Sequence, residues 1–382
     1  MSIKIVIGKN FGDEGKGLAV DYFASVSEKA GRSCLVIRHN GGGQAGHTVE
    51  MPGKRNVFSS LSSGTFRHAD TYWSETFLPD PYSIMEELHG FASSYRFRPK
   101  IYASGNTCCV TVIDVLLNQG LEELRGDERH GSCGMGIDEA YRRSGTDYKL
   151  PLCKLIYLSG KELFDILRDI RDNYLPGRLD EIGISINDLG YYAGLICDDN
   201  VLKNWAYGAV MLKGLIELEE SSIMRWYDDI VFEGAQGLLL DSENIEYAPH
   251  LTSSRTGLVN PLNMIRSTLP SLEKDAEAVY VTRSYVTRHG NGPLPHEFES
   301  IWFPDQTNIP NEWQGTLRFA DHGSYDEFMM PVKKDIESID FKGTHSFFIT
   351  HLNEMELPFI DRIKAPLYLS YDKYSENVRY QR

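Results

Sequence analysis

The sequence predicts an α/β protein: a central, mostly parallel sheet with a P-loop-like nucleotide site and a helical insertion. Two observations predict it. The chain opens strand, glycine loop, helix, strand, and later β-branched runs again end in glycine-rich loops. The middle of the chain instead repeats its apolar residues at the helical period.

Ile3 to Ile7 is a β-branched run ending at Gly8. A helix is expected from about Gly15 to Lys29, with Leu18, Tyr22, Phe23 and Val26 on one apolar face and Gly31 as its stop. Cys34 to Ile37 is the next strand. Strand, helix and strand at this spacing predict parallel pairing, with ligand loops at the strands' C-terminal ends. Val110 to Asn118, Lys161 to Tyr174 and Val201 to Glu219 fit the 3.6-residue period. Strands return at Asp229 to Phe232, Ala278 to Tyr285, Ser346 to Leu352 and Pro366 to Tyr371. The expected organisation is one domain, 1–382, with a helical subdomain over about 105–225.

Composition narrows the partners. Of 382 residues, 39 are Lys or Arg and 54 are Asp or Glu, a formal charge of −15. A chain this acidic lacks the basic face needed to bind nucleic acid or an anionic membrane non-specifically. Small anionic substrates stay open, because a local basic pocket can sit inside an acidic exterior. The six cysteines form no C-x-x-C pair, and no stretch reaches the ~18 apolar residues of a membrane span. A reducing cytoplasm is the expected setting.

The most informative segment is Gly8-Lys-Asn-Phe-Gly-Asp-Glu-Gly-Lys-Gly17. It resembles a P-loop, in which backbone N–H groups and a helix N-terminus hold phosphate oxygens and Lys16 adds a charge. It is no Walker A motif: six residues separate Gly8 from Gly15, and Gly17 stands where Ser or Thr should. Asp13 and Glu14 are unusual in an anion cradle, since a carboxylate there must hold a metal ion or take a proton. The plain alternative is a tight glycine turn with solvated charges. Arg38-His-Asn-Gly-Gly-Gly-Gln-Ala-Gly-His47-Thr48 follows the second strand, and His47 suits a general acid.

Other segments carry weaker signals. Gln236, in Phe232-Glu-Gly-Ala-Gln-Gly237, offers an amide for a base edge. Gly131-Ser-Cys-Gly-Met-Gly-Ile137 reads as an anion nest or as a plain glycine loop. Thr252 opens a hydroxyl cluster, and Arg288 is a cation at a strand end. Thr316 and Arg318 could take a carboxylate, the guanidinium in a bidentate fork, or could sit in an ordinary turn.

Taken in order, GDEGKG, GGxxAGHT, GxxGxGI, FEGAQGxLLD, TSS, TRxGxGP and NExxG resemble the adenylosuccinate synthetase family, over positions 5 to 320. Further similarity lies at Leu61-Ser-Ser-Gly64 and Leu78-Pro-Asp-Pro81. The resemblance implies a ligase that joins L-aspartate to C6 of a 6-oxopurine nucleotide, driven by a nucleoside triphosphate with Mg²⁺. The oxygen is first phosphorylated and then displaced. By resemblance, Asp13 is the base for the N1 proton and touches Mg²⁺ with the Gly46 carbonyl, and His47 is the acid toward O6. Gly12, Gly15, Lys16, Gly17 and Thr48 would bind the triphosphate, with Arg288 assisting. Gln44 and Gln236 would contact the purine, and Ser132, Cys133 and Thr252 would hold the nucleotide 5′-phosphate. Arg142 or Arg143 would reach that phosphate across a homodimer.

Departures from the family pattern are informative. Its Asn before Ala-Gly-His is Gln44 here. Its aspartate loop is reduced to Gln314-Gly-Thr-Leu-Arg318, and its late Ser-x-Gly-Pro to Ser370-Tyr-Asp-Lys373. Its guanine-reading Thr-Lys-Leu-Asp is Thr350-His-Leu-Asn353. An Asn amide offers one donor and one acceptor, whereas guanine needs two acceptors in a fork. The mismatch costs on the order of several kcal/mol and points to ATP or dATP as donor. A short relative with these changes is similar to the family's phage branch, which makes 2-amino-2′-deoxyadenylosuccinate from dGMP. Retention of Asp13 favours IMP instead, so both acceptors stand. A nucleotide-binding regulator without catalysis is the alternative of another class.

Overall fold

The computed structural model describes residues 1–382 except 127, 128, 130, 302, 304, 306 and 309–314. Ten strands form the main sheet: β1 (Ser2–Gly8), β2 (Cys34–Arg38), β5 (Asp70–Trp73), β6 (Ile101–Ala103), β7 (Glu217–Leu218), β8 (Asp229–Gly237), β9 (Ala276–Arg283), β12 (Thr344–Thr350), β13 (Leu367–Leu369) and β14 (Arg379–Gln381). Two hairpins lie outside it: β3 (His47–Met51) with β4 (Lys54–Phe58), and β10 (Val286–His289) with β11 (Leu317–Ala320). The sheet order is β14-β13-β12-β9-β1-β8-β2-β5-β6-β7. Every pair is parallel except β13 with β14. The central strands read as near-continuous apolar runs because both faces are covered. One face buries Ile3, Ile5, Ile230, Phe232 and Tyr280 beneath α10 (Val259–Thr268) and α11 (Tyr325–Ser338). The other buries Val6, Val36, Val231 and Val279 beneath α1 (Lys16–Lys29).

The α1 surface differs in part from the sequence pattern. Leu18 and Phe23 are buried, but Val26 is 50% exposed, because Ala19, Val20 and Ala24 complete the packed face instead. Between α1 and the insertion lies α2 (Pro81–Tyr95). From β6 to β7 the chain runs through α3 (Val112–Arg125), α4 (Ile137–Ser144), α5 (Leu152–Leu155), α6 (Gly160–Asp169), α7 (Leu175–Ile182), α8 (Tyr191–Cys197) and α9 (Asp199–Ala209). The helix expected over Val201 to Glu219 therefore stops at Ala209. A turn at left-handed Gly214 follows, and Glu217–Leu218 joins the sheet edge as β7. Among the described residues, no helix is long and apolar enough to cross a membrane.

Candidate active site

A cleft of about 2020 Å³ opens at the C-terminal ends of the central strands. Single-ligand pockets occupy about 300–1,000 Å³, so this one has room for more than one substrate. Its wall begins with the loop between β1 and α1. Gly12, Asp13 and Gly15 all adopt positive φ, and Gly15 ends the loop as the N-cap of α1. Three consecutive carbonyls of this loop are pinned by side chains of β10, β9 and β12. Thr287 Oγ1 donates to Gly12 O (2.9 Å), Arg283 Nε to Asp13 O (2.6 Å) and Thr350 Oγ1 to Glu14 O (2.9 Å). Because a trans peptide sets C=O and N–H in opposite directions, the N–H groups of Asp13, Glu14 and Gly15 point the other way. That is how an anion cradle is built.

The same loop explains its departure from Walker A. A Cβ on Gly17 would stand 2.7 Å from the Thr48 carbonyl and 3.2 Å from His47 Cβ, so α1 starts against β3 with no room for Ser or Thr. Lys16 is buried at the first turn of α1. Behind the loop, burial raises the Glu14 carboxyl and lowers the Lys9 ammonium, and their mutual attraction opposes both shifts.

His47 is the chemical centre of the cleft. Its Nδ1 lies 2.6 Å from Glu233 Oε1, and its buried Nε2 has no protein partner. Burial raises the Glu233 carboxyl, but Arg38 and the His47 contact outweigh it and hold the group at about 2. Burial lowers the His47 ring despite Glu233 beside it. The neutral ring therefore donates Nδ1–H to an ionised carboxylate and leaves Nε2 bare. Ser63 fixes the carboxylate through its N–H (3.1 Å) and hydroxyl. Arg38 stands beside Glu233 in register across β2 and β8. Glu233 ends the apolar run Ile230 to Phe232 at the middle of β8, and a charge directly after such a run was the signal for it. Arg283, at the end of β9, carries a similar signal.

Asp13, Gly46, Thr48, Gln44, Gln236, Ser132, Cys133, Thr252 and Asn353 all line this cleft. Gln236 Oε1 accepts from Asn40 Nδ2 at 3.3 Å, and the buried Gln44 Oε1 has no protein partner. Asn353 is exposed at the rim, beyond β12. Mg²⁺ has a consistent donor set in the Asp13 carboxylate and the Gly46 carbonyl, both on the cleft wall. No cluster of three or more metal-ligating side chains occurs among the described residues.

Three expected contact residues, Arg143, Thr316 and Arg318, do not line the cleft, and two more line it with their side chains already engaged. Arg143 is fully buried, with Nε and Nη2 on Asp114 (2.9 and 2.7 Å) and further bonds to the Tyr148 and Cys109 carbonyls. It locks α4 onto α3 and cannot reach another subunit. Arg142 lies at the surface, paired with Asp138 at i−4, and does line the cleft. Arg318 forks onto Glu297 and donates to the Gly290 and Gly292 carbonyls, so its N–H groups are committed to the β10–β11 hairpin. Neither it nor exposed Thr316 lines the cleft. Arg288 does line it, but donates to the Pro293 (2.6 Å) and His250 carbonyls and stacks over Phe11 at 4.4 Å. Burial and the Arg318 charge lower it to about 10, so it stays cationic at neutral pH. Of the NExxG motif, residues 311–314 lie outside the described residues, and with them Gln314, the first residue of the shortened aspartate loop.

A pinned glycine loop, a helix N-terminus and a carboxylate-held histidine define a class: α/β proteins that handle nucleotide phosphates with acid–base chemistry. A family model described as adenylosuccinate synthetase matches residues 5–352, and the chain belongs to that family. The adenylosuccinate synthetase of Picrophilus torridus is 29% identical over 319 residues, 82% of this chain and 68% of that one. Alignments with curated relatives span about two thirds of their length, from 63 to 68%. The fully ligated Plasmodium falciparum adenylosuccinate synthetase has a similar fold, with TM-score 0.67 and 20% identity over 92% of this chain and 77% of its own. So has the cyanophage S-2L succinoaminodeoxyadenylate synthetase, bound to dGMP and dATP. Its TM-score is 0.64 and its identity 16%, over 99% of this chain and 95% of its own.

Proposed function

We propose that this chain is a ligase coupling L-aspartate to C6 of a 6-oxopurine nucleotide through a 6-phosphoryl intermediate, driven by a nucleoside triphosphate. The observation that carries this reading is the His47–Glu233 pair: His47 lines the cleft with the phosphate loop, and its buried Nε2 has no protein partner. Asp13 takes the N1 proton, which makes O6 a nucleophile for the γ-phosphoryl group. Protonated at Nε2, His47 donates toward O6 and the transferring group, and Glu233 stabilises the imidazolium. In the second step aspartate's amine forms the C6–N bond as the C6–O bond breaks; the amine gives up a proton to solvent, and the His47 ring passes one to the departing inorganic phosphate. Gly12, Gly15, Lys16, Gly17 and Thr48 hold the triphosphate. The Asp13 carboxylate and the Gly46 carbonyl would hold Mg²⁺, which would supply charge neutralisation for the phosphates. Gln44 and Gln236 read the purine.

For the substrates, dGMP with ATP or dATP is the reading favoured here, giving 2-amino-2′-deoxyadenylosuccinate. Asn353 supports an adenine donor, since its amide can both donate to and accept from one. IMP is the second acceptor, favoured by the retained Asp13 carboxylate. The whole 1–382 chain acts as one unit, its stretch over about 105–225 supplying the 5′-phosphate side. In a homodimer, Arg142 is the surface arginine placed to serve a neighbouring copy. Phosphate release with L-aspartate and Mg²⁺ tests the proposal, with IMP and dGMP crossed against GTP, ATP and dATP. No turnover with any pair refutes the ligase; turnover with IMP and GTP alone refutes the donor and acceptor readings.

A further inference from the structure

The nest at 131–136 contains three glycines in the left-handed region, Gly131 (φ 82°), Gly134 (φ 72°) and Gly136 (φ 71°), a backbone with little stiffness of its own. Its shape is imposed by α3. The Gly131 and Ser132 N–H groups donate to Glu122 Oε2 (3.2 and 3.4 Å). Ser132 Oγ and the Gly136 N–H donate to Asn118 Oδ1 (2.9 and 3.1 Å). Gly136 also presses on the start of α3, where a Cβ would stand 2.6 Å from the Asp114 carbonyl carbon.

Asp114, Asn118 and Glu122 are spaced by four, so they form one stripe along α3. All three are buried, at 2%, 7% and 0% exposure. Burying a carboxylate or an amide is costly unless its partners are fixed. Here each has a defined partner: Asp114 takes Arg143, Asn118 and Glu122 take the nest, and Arg125 Nη1 holds Glu122 Oε1 at 2.5 Å. A capping box at Thr111 and Asp114 anchors the helix end. The stripe is therefore a splint in which Asn118 and Glu122 shape a loop on the cleft wall.

We infer that Glu122 and Asn118 are positioning residues for the nucleotide 5′-phosphate: from the α3 wall of the same cleft they set the nest geometry by holding its N–H groups and hydroxyl. The inference rests on the reading of this loop as the 5′-phosphate site. Its logic is geometric. With three N–H groups and one hydroxyl turned onto α3, the remaining donors of the loop are left in one arrangement, and the nucleotide does not have to order it.

Calorimetric titration of the full-length protein with IMP, dGMP and ATP tests this, alongside turnover. Glu122→Ala is expected to weaken monophosphate binding at least tenfold while leaving ATP affinity within threefold. Glu122→Gln, whose amide oxygen still accepts from both N–H groups, is expected to restore binding to within threefold of wild type. Asn118→Ala should reproduce the Glu122→Ala pattern. A thermal melt identifies any variant that fails to fold, and the Gln variant, nearly isosteric, then carries the test alone: loss of monophosphate binding in it overturns the inference. Tighter monophosphate binding in Glu122→Ala also overturns it, since the carboxylate would then be competing with phosphate. So does an equal loss for ATP and monophosphate, which marks general damage. Failure of the underlying reading looks different: wild-type protein that binds ATP but neither monophosphate refutes the site assignment itself.

Discussion

Glu233→Gln isolates the control of His47 with little change of shape. The wild-type contact is a 2.6 Å hydrogen bond between two buried groups, and Glu233 is ionised. In the variant, the Ser63 N–H still requires an acceptor, so the amide oxygen stays with Ser63 and the NH₂ faces His47. That NH₂ cannot accept Nδ1–H. The neutral ring adopts the other tautomer, and the imidazolium loses its counter-charge. Unit charges about 4 Å apart at an effective dielectric of about 20 interact by roughly 4 kcal/mol, an upper bound. Exchanging a charge-assisted bond for a neutral one sets a lower bound of about 1–2 kcal/mol. A loss of about 3–4 kcal/mol in the transition state is expected, or roughly 10²–10³-fold in kcat. The nucleotide KM should change less than about threefold, because Glu233 does not touch substrate. The sign with pH is also fixed. Removing the anion lowers the ring pKa further, so the deficit should widen as pH rises through the ring's lowered range, below the ordinary histidine value of 6.5, and stay constant above it. The assay is steady-state phosphate release at saturating substrates between about pH 6 and 9. A kcat within threefold of wild type across that range would falsify the claim that Glu233 governs the ring.

Three further outcomes are expected. Gly17→Ala drives a methyl into the Thr48 carbonyl 2.7 Å away; overpacking of this kind costs about 1–3 kcal/mol, seen as a lower Tm and weaker triphosphate binding by calorimetry. Arg143→Ala leaves buried Asp114 without its partner and should destabilise by about 3–5 kcal/mol in urea unfolding, while Arg142→Ala should leave stability within about 0.5 kcal/mol and weaken only nucleotide binding. Asn353→Asp restores the fork that guanine needs, so the ratio of kcat/KM for GTP over ATP should rise by about 10²-fold or more; an unchanged ratio removes Asn353 from base reading.

Much of the fold was legible because a covered parallel strand writes itself as an apolar run and an amphipathic helix as a 3.6-residue period. β1, β2, β8, β9 and β12 followed from such runs. The over-long helix at Val201 to Glu219 shows the limit. Propensity continues through Met211 and Leu215, but Glu217–Leu218 is captured by β6 at the sheet edge, a contact distant in sequence. The phosphate loop and His47 were legible for a different reason: anion cradles need glycine and a helix start at fixed local spacing.

The roles of the arginines were not legible. Arg142 and Arg143 are neighbours in sequence, and only the fold turns one to the surface and the other onto Asp114. Arg318 and Arg288 look like cations at strand ends, yet both are spent on backbone carbonyls. Glu233 was visible as a residue but not as a partner, because it meets His47 across 186 positions of chain. The sequence by itself determined the chemistry on offer: a phosphate loop, a histidine and a carboxylate at fixed local spacing, set within an overall charge of −15. Tertiary structure decided which charges face the cleft and which are neutralised inside the protein. A side chain's partner is set by strand order and helix packing, and neither is encoded in local spacing.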